Sequence, residues 1–207
     1  MITGRVLLSS ATGFNLPSLA FHATFPNLIH RDELLADITR AFEAGLHPAP
    51  APAEAPAAFQ GAAWPAVPDA ALREQAATLA ALSLDAFRYY LPAWLRLAVR
   101  EPETLSLSPL LAALKLPTEL PGPALTQLLA RFETGSPPAA AEVSASVAQQ
   151  LRETNQALHR FVARTSGFSP PQGRAILHFL TYFQAAGDTA ASQQATLAIE
   201  RYWFQFA

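Results

Sequence analysis

The chain predicts a mainly α protein: a single helical bundle of about seven helices, with a kinked central helix and an irregular N-terminal segment. Three observations carry this reading. Apolar residues recur at three- and four-residue spacing in one segment after another, which places them on one face of a helix. Serine, aspartate and proline stand where helices begin. No strand-rich region and no internal repeat interrupts the pattern.

The 207 residues fit one large domain, with residues 1–26 as an irregular segment and 27–207 as the helical domain. Hydrophobic residues make up 51%, including thirteen phenylalanines, enough for a sizeable core although much of the count is alanine. Charged residues make up only 14%, against about 25% in an ordinary soluble domain. Net charge is −2 and Lys115 is the one lysine. A protein that displaces counterions from nucleic acid needs a basic face, and a polybasic membrane patch needs the same. Neither partner is expected. The absence of cysteine excludes disulfides, thiolate metal sites and a cysteine nucleophile. No stretch approaches the ~18–20 apolar residues of a membrane span. Arg5, Val6-Leu7-Leu8 and Ser18-Leu19-Ala20 imitate a signal peptide, but Asn15 and Pro17 interrupt the apolar region. A cytoplasmic protein is expected.

In residues 1–26, Val6-Leu7-Leu8 offers a short strand, and Thr12-Gly13 and Leu16-Pro17 read as turns. The first helix is expected from Leu28 to Ala44, with Leu34, Ile38 and Phe42 in one stripe and Gly45 as a left-handed cap. Residues 47–68 form a Pro/Ala-rich loop that favours extended polyproline geometry, and Phe59 and Trp64 are expected to anchor its end to the core. Asp69 is expected to cap a helix to about Ala81 that buries Leu72, Ala76 and Leu79. Ser83 caps the central helix, whose inward positions are Leu84, Phe87, Leu91, Trp94 or Leu95, and Ala98. Pro92 lacks an amide hydrogen and crowds the Arg88 carbonyl. The apolar phase survives it, so a kinked but continuous helix is expected up to Glu101-Pro102.

Ser108-Pro109 reads as an N-cap and first-turn proline for a short helix to about Leu116. Leu125, Leu128, Leu129 and Phe132 mark another, from Ala124 to Phe132. Val143, Val147, Leu151, Leu158 and Val162 form the longest stripe, ending near Thr165, with Asn155 on it and Phe161 at its margin. Ser169-Pro170-Pro171-Gln172 is a capping box with first-turn prolines, opening a helix with Ile176, Leu177, Phe179, Leu180 and Phe183 that stops at Gly187. Asp188 is expected to cap a last helix carrying Leu197, Ile199, Tyr202 and Trp203.

Catalytic patterns are missing. There is no G-x-S-x-G or S-x-x-K for a serine nucleophile, and no glycine-rich phosphate loop. His22, His30, His47, His159 and His178 are scattered. His30 with Asp32 and Glu33 is a local cluster, but acids in a first helical turn ordinarily complement the dipole. Glu101 and Glu103 flank Pro102 as a solvated pair. No catalytic residue, metal or cofactor is implied, and the reading leans away from an enzyme. Phe87, Tyr90, Leu91, Pro92 and Trp94 form the central core motif.

Phe59-Gln60-Gly61-Ala62-Ala63-Trp64 followed by Phe87-Arg88-Tyr89-Tyr90-Leu91-Pro92-Ala93-Trp94-Leu95 resembles a bacterial family known only as a domain of unknown function. Its members show an fxG..W element and an aFxYYLPAyL helix. Ile176-Leu177-His178-Phe179-Leu180 and Ala198-Ile199-Glu200-Arg201-Tyr202-Trp203 resemble its closing helices, so the likeness spans about Leu28 to Trp203. Trp94 replaces a more usual tyrosine or phenylalanine, and the segment from Ser136 to Thr165 is longer than the family pattern. The resemblance implies a fold and no activity.

The leading expectation is a non-enzymatic protein-binding domain of the bacterial immunity or antitoxin type, which neutralises a partner toxin through a helical surface. Its candidate contacts are Asn155 and His159 on the helix from Val143 to Thr165, and Tyr202 and Trp203 in the terminal cluster with Phe204 and Phe206. Two alternatives stand beside it. One is an enzyme or small-ligand binder with an apolar pocket lined by Tyr89, Tyr90, Trp94 and His178. The other is an assembly protein that uses the Pro/Ala loop as a spacer.

Overall fold

The structure is a computed structural model and describes residues 29–43, 56–59, 61–117, 123–135, 139–186 and 189–207. The expectations for residues 1–26, Gly45, the Pro/Ala run, Gly187 and Asp188 lie outside them. Eight α-helices and four short 3-10 segments are present, and no strand occurs among the described residues.

The helices are α1 (Arg31–Glu43), α2 (Asp69–Glu74), α3 (Leu84–Arg100), α4 (Leu107–Leu114), α5 (Pro123–Glu133), α6 (Ala140–Thr165), α7 (Pro170–Ala186) and α8 (Thr189–Arg201). Helix α1 lies between α3 and α7; α8 backs onto both α7 and α4; α6 reaches α3; and α5 packs chiefly on α6. The core is one continuous apolar cluster centred on α3.

Helix α3 starts where Ser83 Oγ accepts the Ala86 amide and ends at Glu101, with Pro92 inside an unbroken helix. Eleven of its residues are buried, among them Phe87, Tyr90, Leu91, Pro92 and Trp94. Leu84 is the exception: it is exposed, because the first turn of the helix sits at the edge of the core.

Burying tyrosine and tryptophan requires partners for their polar tips. Tyr90 Oη donates to the Phe59 carbonyl at 3.1 Å, and Trp94 Nε1 donates to the Leu72 carbonyl at 2.9 Å. Phe59 and Trp64 belong to two 3-10 turns, Ala57–Phe59 and Trp64–Ala66, and both rings are buried. Phe59 packs on Tyr90 and Trp94, with ring centroids 5.1 and 5.4 Å away. At the other end of the chain, Trp203 Nε1 donates to the Leu114 carbonyl at 2.7 Å.

The segment expected as one helix from Asp69 to Ala81 is two pieces. Helix α2 stops at Glu74 and a 3-10 helix, Ala76–Ala81, follows. Leu72, Ala76 and Leu79 are still buried. Pro68 occupies the N-cap position, and Asp69, the first helical residue, binds Arg100 at 2.6 Å instead. Helix α4 likewise begins earlier than expected: Ser106 is its N-cap, which puts Pro109 at the third helical position. A first-turn proline fits either register, since those amides have no helical acceptor. Half of the capping box on α7 is formed, with the Ser169 amide donating to Gln172 Oε1 at 2.9 Å.

Arginines tie the helix ends together. Arg31 Nη2 donates to the Arg100 carbonyl at 2.8 Å, and Arg88 Nε donates to the Arg164 carbonyl at 2.9 Å. Gly167 leaves room for this, because a Cβ there would lie within 2.2 Å of the Arg88 guanidinium. Arg73 holds Glu101 at the end of α3. That hydrogen bond, joined by one from Thr104, keeps the Glu101 carboxyl below its usual range.

Trp94→Ala is expected to cost about 3–5 kcal/mol in urea unfolding, the range for emptying a buried aromatic site. A carboxyl with a lowered folded pKa stabilises above its unfolded value, and that contribution disappears as pH falls through the folded one. Glu101→Gln should therefore flatten the acid side of the stability profile, and a carboxyl NMR titration of Glu101 should give a midpoint below that of an ordinary glutamate.

Candidate functional site

The 26 residues of α6 give it a length of about 39 Å at 1.5 Å per residue. Only Phe161 and Thr165, in its last turns, are buried. That end is fixed to the body. Arg88 binds the Ala163 and Arg164 carbonyls, Arg164 reaches back to the Ala80 and Leu82 carbonyls, and Phe161 meets the Tyr202 ring edge-on at 4.9 Å. Of the expected stripe, Val147, Leu151 and Val162 are exposed, and Val143 and Leu158 are half-buried. Periodicity marks an apolar face without saying what covers it. On α5, Leu129 and Phe132 are also exposed, at 48% and 52%, and Arg131 pairs with Glu142 of α6. Helix α5 and the first part of α6 therefore form an arm on which each helix carries exposed apolar side chains.

Two grooves border α1. One, of about 400 Å³, is lined by Asp37 and Arg40 of α1 and by Ser169, Arg174 and His178 at the start of α7. Asp37 lies between two partners: Oδ2 is 3.1 Å from His178 Nδ1 and Oδ1 is 3.1 Å from Arg40 Nη1. The carboxylate fixes the neutral imidazole with its proton on Nδ1, leaving Nε2 as an acceptor. Ser169 and His178 are nine positions apart along α7, about 13 Å of rise, too far for a serine–histidine nucleophilic pair. The second groove, of about 460 Å³, lies between α1 and α3 and contains Arg96 and Arg100. No group of three metal-ligating side chains occurs among the described residues.

The residues expected at a contact surface divide. Asn155 and His159 are exposed on α6. Tyr202 is half-buried between Phe161 and Trp203. Trp203 is fully buried, which removes it as a contact: its indole is committed to Leu114 and its ring to the core. Phe204 is the exposed member of the terminal cluster, at 61%. The proposed pocket of Tyr89, Tyr90, Trp94 and His178 does not assemble. Tyr90 and Trp94 are fully buried, and the groove at His178 contains none of the three aromatic residues. The Asp37–His178 pair, separated by 141 positions, and the Arg96 groove had no local signature in the sequence.

Residues 45–121 match the model of a family of unknown function, DUF6714. The chain is similar to an uncharacterised family over that stretch. That stretch contains the Phe59 and Trp64 turns, all of α3 and α4, and none of α7 or α8, so of the likeness expected from Leu28 to Trp203 only the part from 45 to 121 is matched. No curated protein and no solved structure matches the chain. No helix among the described residues is long and apolar enough to cross a membrane.

Asp37→Asn is expected to release His178 from its fixed tautomer. Nitrogen NMR shifts should show neutral His178 protonated on Nδ1 in the parent and mainly on Nε2 in the variant. Because both groups are partly exposed, stability should change by less than about 1 kcal/mol.

Proposed function

We propose that this chain is a non-enzymatic protein-binding domain that receives its partner along the α5–α6 arm. The observation that carries the reading is the exposure of Leu129, Phe132, Val147 and Leu151 on two helices that pack chiefly on each other. An exposed apolar patch of this kind marks an interaction surface. Ser144, Ala145 and Ala148 flank Val147 and Leu151 and are small enough for a second helix to approach closely. The Arg131–Glu142 pair is internal to the arm, so apolar fit, more than charge, selects the partner. The partner is thus a protein offering an apolar helix face, recognised at helical i, i+4 spacing. A toxin blocked by an immunity- or antitoxin-type protein is one form of this binding, distinguished by a toxin gene beside this one.

The test compares the intact protein with Leu151→Arg in affinity capture from the native host, followed by titration of the identified partner. The parent should hold a stoichiometric partner that the variant loses, while the variant's unfolding free energy stays within about 0.5 kcal/mol. Equal retention of the partner by the variant would defeat the reading. A large loss of stability would place Leu151 in a core and defeat it as well.

A further inference from the structure

Most of the described arginines have an acceptor. Arg31 binds a carbonyl, Arg40, Arg73, Arg100 and Arg131 pair with carboxylates, and Arg88 and Arg164 cap backbone carbonyls. Arg96 differs. It is half-buried on α3, its guanidinium lies 5.5 Å from the centroid of the Trp64 ring, and its Nε is buried with no hydrogen-bond partner. Arg160 and Arg174 also lack a described acceptor, but both are exposed and solvated. One turn along α3, Arg100 has a buried Nε without a partner too, although its Nη2 holds Asp69. Both arginines line the groove opposite Leu35, Ala36 and Thr39 of α1. Glu43 shares that lining and makes no ion pair with either among the described residues.

The Arg96 Nε–H is withdrawn from water without an acceptor, and the rest of the half-buried guanidinium opens on the groove, where a ligand oxygen can supply one. Its planar fork matches the two oxygens of a carboxylate or phosphate, and its place over the buried Trp64 ring adds a cation–π contact that favours the groove position. The groove beside it has an apolar wall. We propose that the α1–α3 groove binds the oxyanion group of a small molecule with an apolar body. Arg96 is the primary anchor, Arg100 supplies a second positive charge, and Leu35 and Ala36 receive the apolar part. The site lies on the body and is independent of the arm.

The experiment is an NMR titration of the intact protein, following arginine Nε–H resonances with three probes: inorganic phosphate, acetate and hexanoate. The Arg96 resonance should shift saturably with at least one probe, at concentrations up to about 20 mM. Arg96→Gln should weaken binding by about tenfold or more, as loss of a charge-assisted hydrogen bond does, while Arg174→Gln leaves it unchanged. Ala36→Glu, at an exposed position on the groove, should abolish binding by supplying an internal carboxylate. Saturation by phosphate alone assigns a phosphate ligand. Hexanoate bound more tightly than acetate assigns a carboxylate with an apolar body. If Arg96→Gln does not fold, the parent titration and Ala36→Glu decide. No saturable shift at Arg96 with any probe, or binding insensitive to the folded variants, would overturn the proposal.

Discussion

Trp94 donates its one hydrogen bond to the Leu72 carbonyl, and much of the fold depends on that bond. A helix as apolar as α3 can be buried on most sides only if each polar tip it carries finds an acceptor, because an orphaned donor in a low-dielectric core is costly. The last turn of any helix leaves carbonyls without amide partners. Leu72 is near the end of α2, and Leu114 ends α4. The indoles of Trp94 and Trp203 take these two carbonyls, and Tyr90 takes the carbonyl of Phe59 at the end of a 3-10 turn. Carbonyls near the ends of short helices and large aromatics with one donor each thus satisfy one another. The early stop of α2 at Glu74 leaves the Leu72 carbonyl available for the central tryptophan.

This also explains what could be read from the sequence. Elements whose signal is local were legible: the stripe of Leu34, Ile38 and Phe42, the Ser83 cap, the Ser169–Gln172 box, and α3 continuing through Pro92. The split between α2 and the 3-10 helix was not, because the alanine-rich run carries no local stop signal and the Trp94 donor that meets the Leu72 carbonyl is more than twenty positions away. The register of α4 slipped because proline is equally at home at several first-turn positions. For α6, spacing placed the helix and its apolar stripe but left its burial open. Val147 and Leu151 have the spacing of a buried stripe, and the same spacing serves a face that is left uncovered. Of the candidate sites, only α6 could be found in advance, since Asp37 meets His178, and Arg96 meets Trp64, only after the chain has folded.

The two surfaces differ in physical character. The arm offers apolar area, with its nearest ion pair closed on itself, and relies on shape. The α1–α3 groove offers two arginines, one of them lying over the buried Trp64 ring, and any binding there would rely on electrostatics in a partly desolvated place. They are built from separate elements, and the arm joins the body at the arginine clamp around the end of α6.

That attachment at one end has a spectroscopic consequence. All three tryptophans, Trp64, Trp94 and Trp203, are buried in the body, and none is on α5 or α6. Indole emission therefore reports the body alone, whereas far-ultraviolet dichroism also counts the long helix of the arm. If the arm melts before the body, the ellipticity will fall while the fluorescence holds steady, and the gap between the two curves measures how loosely the arm is coupled to the fold.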